Sequence, residues 1–495
     1  MGTVNNKRTG KAMKWSFLTQ IIAKLVSPIT NMVLARILAP EAFGAVASIN
    51  LVITFAEIFT DAGFQQYLVQ HEFESEESLD KSTNVAFWIN MVISFVFIFA
   101  ITMFRDTLAT LVGSPELGWG IAVASINILL VTLSSTQTAR YNRDMNFKVL
   151  FYARMCTIII PVFVTIPLAL IFHNYWALII GTIVTNLTNA VVLTIFSKWK
   201  PKLFFDILVF KKMFSFSIWL LIDSVAIWLT NYIGTFIVGR SLDEYYLGLY
   251  KTSMTTVNSI AGIITMAVGP VMFSQLSRCQ NDDIEMKKTF YSYQKLSAIA
   301  LVPLGIGFYV FRDLVTWILL GTQWIEASDF VGLWGLISTL MIIFNNYCSS
   351  YYRSKGKPKI ALLTQVIYLC VLVPTLAISV SYGFKALYIS RSLVTIVQII
   401  IAFLAMKIFF GFRISSTLFN ILPMAFSAII MGCAGWLLKG LIDSYWWHIV
   451  CVVICIIVYF AILFALFPNT RRECLDLVYR ANKKKDIKEV NNADQ

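Results

Sequence analysis

Two polar stripes run along the first two apolar segments of the chain. Each stripe repeats at steps of three or four residues, which places its members on one face of a helix. The stripes consist of Ser16, Gln20, Lys24, Ser27 and Asn31, and of Asn50, Thr54, Glu57, Asp61 and Gln65. A charged group at the centre of a membrane helix costs about 2.5–3.5 kcal/mol, so such groups normally face a bundle interior or a wet cavity. The stripes therefore predict two helices that line a polar space.

The charges in these stripes allow two kinds of chemistry. Lys24 lies in the middle of its segment, too far from either end for its ammonium to reach water easily. It could form a structural ion pair with Glu57 or Asp61, or it could meet an anionic substrate in a central cavity. The two acids lie one helical turn apart and equally suit coupling to H⁺ or Na⁺. The sequence leaves these alternatives open.

Three further basic residues are candidates for the same cavity: Arg154, Lys251 and Arg391. Arg154 and Lys251 lie nearer to the ends of their apolar segments, where reaching the membrane surface is an equal alternative. Arg391 lies deeper. The eight cysteines show no paired spacing and the three histidines are scattered, so no metal site is predicted. A Gly-rich phosphate loop and a Ser/His/Asp set are both lacking, so the chain is not predicted to be an enzyme.

The composition is that of a membrane protein. Of the 495 residues, 58% are hydrophobic and only 14% are charged, whereas soluble domains average about 25% charged residues. A spanning helix needs about 20 mainly apolar residues, and this criterion predicts an all-α polytopic fold with about 14 transmembrane helices. Their predicted positions are 14–38, 42–66, 83–104, 117–138, 150–172, 175–196, 213–239, 246–274, 293–320, 328–350, 360–381, 386–409, 418–438 and 445–467.

The basic residues predict the orientation. They lie mainly at both ends of the chain and in alternate loops, of which 198–212 and 353–359 are especially basic. Cytoplasmic loops of membrane proteins carry an excess of Lys and Arg, so both termini are predicted to be cytoplasmic. The net charge of +13 is explained by these loops rather than by a nucleic-acid partner. Membrane lipid is the expected partner, since basic loops attract anionic headgroups or a pyrophosphate.

An internal repeat relates two parts of the chain. The motif RIL that begins at Arg36 recurs as RSL at Arg240, an offset of 204 (240 − 36), and Gly44 and Gly248 follow at the same distance. Part of the first polar stripe recurs in the same frame, in the pairs Gln20 and Ser224, Ser27 and Asn231, and Asn31 and Thr235. Because the offset covers six spans, both copies enter the membrane from the same side, which predicts parallel lobes with a site between them.

The repeat predicts the domain organisation. A first six-helix lobe covers 1–200, a second covers 201–412, two additional helices cover 413–470, and a basic cytoplasmic tail covers 471–495. The acidic pair is not repeated, because the positions equivalent to Glu57 and Asp61 are Ala261 and Thr265. A coupling site in the second lobe would have to use Asp223. No cofactor is expected beyond this possible Na⁺ or H⁺ coupling.

Six stretches of the chain together resemble the bacterial polysaccharide flippases, in the branch that includes the colanic acid exporter. The resemblance extends over roughly residues 10–470, and the order and spacing of the stretches are more specific than any one of them. They are VLARILAPEAFGAVA (Val33–Ala47), TDAGFQQYLVQ (Thr60–Gln70), RYNRDMNFK (Arg140–Lys148), VGPVMFSQLSR (Val268–Arg278), LLGTQWIEA (Leu319–Ala327) and SKGKPK (Ser354–Lys359).

The resemblance implies membership of the superfamily of multidrug, oligosaccharidyl-lipid and polysaccharide exporters. It implies two six-helix lobes around a cationic cavity, and movement of an undecaprenyl-diphosphate-linked oligosaccharide between leaflets of the bacterial inner membrane by alternating access. Lys24, Arg154, Lys251 and Arg391 fit that cavity. A polysaccharide polymerase and chain-length machinery are the protein partners expected with such an activity.

Two other functions compete with this expectation. A cation-coupled small-molecule exporter of the same superfamily would share the fold. A membrane-embedded polysaccharide polymerase or glycosyltransferase is disfavoured, because such enzymes usually carry a sizeable extracytoplasmic loop and every outward loop here is short. A purely structural membrane protein is disfavoured because charged stripes in spans are costly without a use.

Overall fold

A computed structural model describes residues 2–61, 63–468 and 470–472, and within them the chain is helical and has no β-strand. The first part of the chain forms α1 (Gly2–Ile37), α2 (Pro40–Asp61), α3 (Phe64–Gln70), α4 (Glu76–Met103), α5 (Arg105–Leu111), α6 (Gly118–Ala124), α7 (Ile126–Arg143), α8 (Phe147–Ile160), α9 (Ile166–Phe172) and α10 (Trp176–Phe196).

The second part of the chain begins with two helices of 35 residues each. It forms α11 (Ile207–Ser241), α12 (Glu244–Arg278), α13 (Asp283–Val310), α14 (Arg312–Leu319), α15 (Ser328–Met341), α16 (Tyr347–Ser354), α17 (Pro358–Ser379), α18 (Phe384–Phe410), α19 (Ile414–Phe419), α20 (Leu422–Lys439) and α21 (Tyr445–Leu466). Short 3-10 turns lie at Pro115–Leu117, Thr322–Ala327 and Val380–Tyr382, and π-helical turns at Pro161–Thr165 and Ile342–Asn346.

Polar side chains set where several membrane helices begin. Ser75, Asp206 and Asp282 directly precede α4, α11 and α13, and each side chain accepts a hydrogen bond from a backbone N–H of the first turn. These bonds satisfy donors that have no partner inside the helix. Each cap stands where a polar loop changes to an apolar helix, so these boundaries are encoded locally.

Among the described residues, twelve helical stretches are long and apolar enough to cross a membrane, and a bent pair, Glu244–Met266 with Val268–Arg278, raises the number to 13. The prediction of an all-α polytopic membrane protein is therefore confirmed. Each predicted span from 42–66 onward coincides with one of these stretches. The first predicted span, 14–38, corresponds to α1, a 36-residue helix outside this set.

Packing divides the described residues into two compact units. Unit 1 contains the chain up to Met266, Thr316–Phe330 and Leu362–Val394, and unit 2 contains Ala267–Val315, Val331–Ala361 and the chain from Thr395 onward. The lobe boundaries that follow from the repeat remain a prediction. Residues 473–495 of the predicted tail lie outside the described residues.

The repeated glycines form a reciprocal crossing inside unit 1. A Cβ on Gly44 of α2 would overlap the carbonyl oxygen of Glu244, and a Cβ on Gly248 of α12 would overlap that of Pro40. Glu244 and Pro40 are themselves related by the offset of 204 (244 − 40). The first turns of α2 and α12 thus touch through their main chains at matching positions, which only glycine permits.

The repeated arginines make a second reciprocal contact. The Arg36 Nη2 donates hydrogen bonds to the carbonyls of Trp317 (3.3 Å) and Ile318 (2.9 Å) in the last turn of α14. The Arg240 Nη1 donates one to the carbonyl of Leu111, the last residue of α5, at 3.4 Å. Each arginine therefore caps the carboxyl end of a short helix from the other copy of the repeat, where cations are favourable.

The short helices carry a repeat signal of their own. FRD opens both, at Phe104 before α5 and at Phe311 before α14, an offset of 207 (311 − 104). Glycines with positive φ follow them, Gly113 at 88° and Gly321 at 104°. This offset differs from 204, so the match is out of register with the repeated arginines and glycines.

Candidate functional site

The deepest predicted cation, Arg391 of α18, is buried in unit 1 with 9% of its surface exposed. Its Nε donates to the hydroxyl of Tyr250 on α12 at 3.2 Å, and its Nη1 donates to the hydroxyl of Tyr368 on α17 at 2.9 Å. A buried guanidinium is tolerated only when its donors are hydrogen-bonded. Three helices therefore fix this charge in place.

Lys251 lies beside Arg391. It follows Tyr250 on α12, is half-buried, and its Nζ lies 4.4 Å from the ring centroid of Tyr232 on α11. Arg391 is hydrogen-bonded to Tyr250, the residue that directly precedes Lys251, so the two cations are neighbours of the same tyrosine. Among the described residues, no carboxylate forms an ion pair with Lys251. Two neighbouring cations in membrane helices form a site that an anion would stabilise.

Lys24 lies against the same helix farther along. It is exposed on α1, and a Cβ on Gly262 of α12 would lie 3.6 Å from its Nζ. Gly262 follows Lys251 by eleven residues, which is about 16 Å along a helix axis. Within the part of the chain that is described, no ion pair joins Lys24 to Glu57; the side chain of Asp61 lies outside it. Two cations therefore lie along α12: Lys251 on the helix itself, and Lys24 of α1 beside Gly262.

Ser27 and Asn31 of the first stripe line an uncharged cavity of about 260 Å³ in unit 1. Its other polar walls are Thr30, Thr157, Thr165, Thr182 and Thr185, from α1, the α8 region and α10. The hydroxyls of Thr30, Thr157, Thr182 and Thr185 donate to carbonyls of their own helices, so their oxygens can still accept hydrogen bonds. Such a cavity suits a neutral, hydroxyl-rich group.

A π-helical turn shapes this cavity. Pro161 has no N–H, so the carbonyl of Thr157, four residues earlier, loses its helical donor. The turn brings Thr165 against α10 at Gly181, where a Cβ would overlap the Thr165 hydroxyl oxygen. Turns of this kind occur frequently at functional sites.

Two residues of the second stripe, Thr54 and Gln65, make hydrogen bonds to neighbouring helices. The Trp228 indole N–H of α11 donates to the Thr54 hydroxyl at 3.0 Å, and the Gln65 amide donates to the Ser135 hydroxyl at 2.7 Å. Glu57 is half-buried on α2. These bonds hold α2 and α3 against α11 and α7.

The other predicted site residues are not brought to the Lys251–Arg391 pair by any described contact. Gln20, Ser224 and Asn231 are exposed on α1 and α11, Thr235 is buried, and the side chain of Asp223 lies outside the described residues. Arg154 is exposed on α8. The roles predicted for these residues remain predictions.

Sequence reasoning missed the tyrosines that hold the cations: Tyr232, Tyr250 and Tyr368. One signal was available, because Tyr250 directly precedes Lys251 in the chain. The partners of Arg391 come from α12 and α17, which only the fold brings together.

The basic segment 198–212 is predicted to be a loop, but its last residues form the start of α11, and they contribute to an open cavity of about 580 Å³ in unit 1. His71, Lys211, Lys212 and Ser215 line it. By the predicted orientation this cavity lies on the cytoplasmic side.

Residues 33–329, which are 60% of the chain (297 of 495), match the family described as polysaccharide biosynthesis protein. The chain belongs to this family. It is 25% identical over 334 residues to the succinoglycan biosynthesis transport protein ExoT of Rhizobium meliloti, covering 68% of this chain and 67% of that one. It is 21% identical to the lipopolysaccharide biosynthesis protein WzxC of Escherichia coli, covering 79% and 80%.

Two solved structures of other proteins have a fold similar to that of this chain. The lipid II flippase MurJ in an inward closed conformation has a TM-score of 0.73 at 15% identity, covering 92% of this chain and 99% of that one. An inward-facing multidrug resistance MATE transporter of the MOP superfamily has a TM-score of 0.63 at 11% identity, covering 78% and 94%. The predicted resemblance to the bacterial polysaccharide flippases is confirmed by the family match and these relatives, as is the prediction of a transporter rather than an enzyme.

Proposed function

We propose that this chain moves an undecaprenyl-diphosphate-linked oligosaccharide from the inner to the outer leaflet of the bacterial cytoplasmic membrane by alternating access. The observation that carries the proposal is the pair of cations that flank Tyr250 within membrane helices: Arg391, which is hydrogen-bonded to Tyr250, and Lys251, which follows it on α12. A diphosphate is the anion that such a pair would hold. The names of ExoT, WzxC and MurJ, which concern polysaccharide transport, lipopolysaccharide biosynthesis and lipid II flipping, support the same class of substrate.

The physical problem is the passage of a diphosphate through about 30 Å of hydrocarbon. An unpaired anion there would cost many kcal/mol, so the transporter has to supply counter-charge and hydrogen bonds. Lys251 and Arg391 supply the charge, and Lys24 of α1 offers a third cation beside Gly262, farther along α12. The cavity at Ser27 and Asn31, three and seven residues after Lys24, offers hydrogen bonds to the glycan while the lipid tail stays in the bilayer.

Orientation and coupling belong to the same proposal. The basic loops support cytoplasmic termini, and the open cavity at Lys211 and Lys212 would attract the diphosphate from the inner leaflet. Coupling to H⁺ or Na⁺ would use Glu57, Asp61 or Asp223. A polymerase and chain-length machinery would use the flipped product.

The test replaces Lys251 in the full-length chain. In proteoliposomes containing a fluorescent undecaprenyl-diphosphate-linked glycan, Lys251→Gln should slow flipping by about tenfold or more, since losing a half-buried cation that contacts the diphosphate costs about 1.4 kcal/mol or more. Lys251→Arg should retain most of the rate. Lys385→Gln, an exposed lysine at the start of α18, is the matched control and should not change it.

Two outcomes would contradict the proposal. Normal flipping by Lys251→Gln at a normal protein level would remove the cation pair from the mechanism. Drug sensitivity of a deletion strain whose surface glycan is intact would instead favour a small-molecule exporter, the alternative with which the MATE-like fold is compatible.

A further inference from the structure

A third cavity, of about 670 Å³, lies in unit 2, where α20 ends and α21 begins. Tyr309 and Arg312 line it from the end of α13 and the start of α14. Trp436, Lys439, Asp443 and His448 line it from the two additional helices and their connection. It shares no lining residue with the cavity at Ser27 and Asn31, and the proposed translocation does not use it.

His448 is the residue that points to a ligand. Its side chain is 4% exposed and lines the cavity, and neither ring nitrogen has a hydrogen-bond partner. A neutral imidazole always carries one N–H donor and one acceptor nitrogen. A buried donor without a partner is rare in native structures, where protein, an ordered water or a bound group supplies the acceptor.

The position of the cavity indicates the membrane surface. The span Leu422–Lys439 ends at the cavity, and the span Tyr445–Leu466 begins there. Trp436, which lines the cavity, and Trp446, two residues before His448 in the chain, are 70% and 76% exposed. Tryptophan is enriched at the headgroup level of membranes, so the cavity opens where phospholipid headgroups lie.

The charges at the cavity have both signs. The Lys439 Nζ forms an ion pair with the Asp313 carboxylate at 2.8 Å, so its charge is compensated within the protein. Arg312, which also has an interaction partner within the protein, contributes a positive group to the lining, and Asp443 adds an exposed negative one. A simple anion would be repelled by Asp443. A ligand with a phosphate and an ammonium group would complement both.

We propose that this cavity binds the headgroup of an amine-bearing phospholipid from the surrounding bilayer, with His448 and Arg312 towards the phosphate and Asp443 towards the ammonium. The exposed side chains of Leu437 and Leu441, at 64% and 69%, would lie along the acyl chains. The additional helices α20 and α21 thereby gain a function in lipid recognition that is separate from translocation.

The test measures lipids retained by the purified full-length protein. Protein is equilibrated with vesicles of phosphatidylethanolamine or of phosphatidylglycerol, and the bound lipid is counted by native mass spectrometry. The wild-type chain should prefer phosphatidylethanolamine by about fivefold or more, and Asp443→Asn should remove that preference. Glu74→Gln, an exposed acid in the loop before α4, is the matched control and should keep it.

His448 variants test the phosphate side. His448→Phe keeps an aromatic ring without a donor and should lower retention of both lipids, whereas His448→Gln restores a donor and should recover part of it. Equal retention of the two lipids by the wild-type chain, or an unchanged preference in Asp443→Asn, would overturn the proposal. Displacement of the lipid by soluble phosphoethanolamine at equal concentration would overturn the assignment to a bilayer lipid.

Discussion

The two copies of the repeat match at the start of α2 and α12 and differ farther into the membrane. Near those starts, Gly44 and Gly248 occupy the same position, and each meets the main chain of the other copy. Inside the spans the chemistry diverges. The position of Lys24 is taken by Trp228 in the second copy, and the position of Lys251 is taken by Ala47 in the first. Each copy therefore carries its cation on a different helix of its first pair.

The difference shows which contacts restrict the sequence. A crossing of two main chains leaves room only for hydrogen at Cα, so both copies keep glycine. A cavity wall makes no such demand, and one copy can use a lysine where the other uses a tryptophan that bonds to Thr54. The symmetric region holds the copies together, and the asymmetric region is free to recognise a ligand that has no symmetry itself.

The largest effect is expected at the glycine crossing. Gly44→Ala and Gly248→Ala should each destabilise the protein by about 1–3 kcal/mol or more, because the new Cβ would overlap a main-chain oxygen. Thermal unfolding of the purified protein in detergent measures this. Gly307→Ala on α13, where nothing lies within 4 Å, is the control and should be neutral or slightly stabilising. A large loss at one glycine and none at the other would break the symmetry of the crossing.

A smaller effect is expected at the buried arginine. Tyr368→Phe removes the hydroxyl that accepts from the Arg391 Nη1 and should cost about 1–3 kcal/mol of stability, since a buried charged donor loses its acceptor. It should also slow flipping, because Arg391 is no longer held beside Lys251. Tyr382→Phe, at a side chain that is 77% exposed, is the control for both measurements. If Tyr368→Phe matches that control, the tyrosines do not position the cation pair.

The smallest effect is expected at the capping arginines. Both are exposed, so Arg36→Gln and Arg240→Gln should each cost only about 0.3–1 kcal/mol. Arg36 bonds to two carbonyls and Arg240 to one at a longer distance, so the loss at Arg36 should be the greater. Chemical unfolding of single and double variants would rank them. A greater loss at Arg240 would contradict the geometry of the two caps.

The sequence predicted the helices well because a run of about 20 mainly apolar residues identifies a membrane span. It also predicted the spacing of the repeated arginines and glycines. It could not predict their contacts, since Gly44 meets Glu244 only after α2 and α12 cross. Local spacing likewise left open whether Lys24 pairs with Glu57, because that depends on how α1 and α2 are rotated about their axes. In the structure, Lys24 lies against α12 instead.

The contacts between Arg391 and its tyrosines could not be predicted from the sequence either. Tyr250, Tyr368 and Arg391 belong to α12, α17 and α18, and nothing in the spacing of three distant apolar segments indicates that they meet. Aromatic residues are common in membrane helices, so their presence alone carries little information. The cation was predictable from the cost of burying it, and its partners were not.

The glycine crossing also has a mechanical consequence. Helix α12 continues from Gly248 for 18 residues to Met266, a distance of about 27 Å, so a rotation of about 10° at the crossing would displace the far end by about 5 Å. The contact lies near one end of the helix, so the rest of the helix would rotate about it. Lys251 lies close to the crossing and would hardly move. Gly262 lies far from the crossing, so the same rotation would move it relative to Lys24.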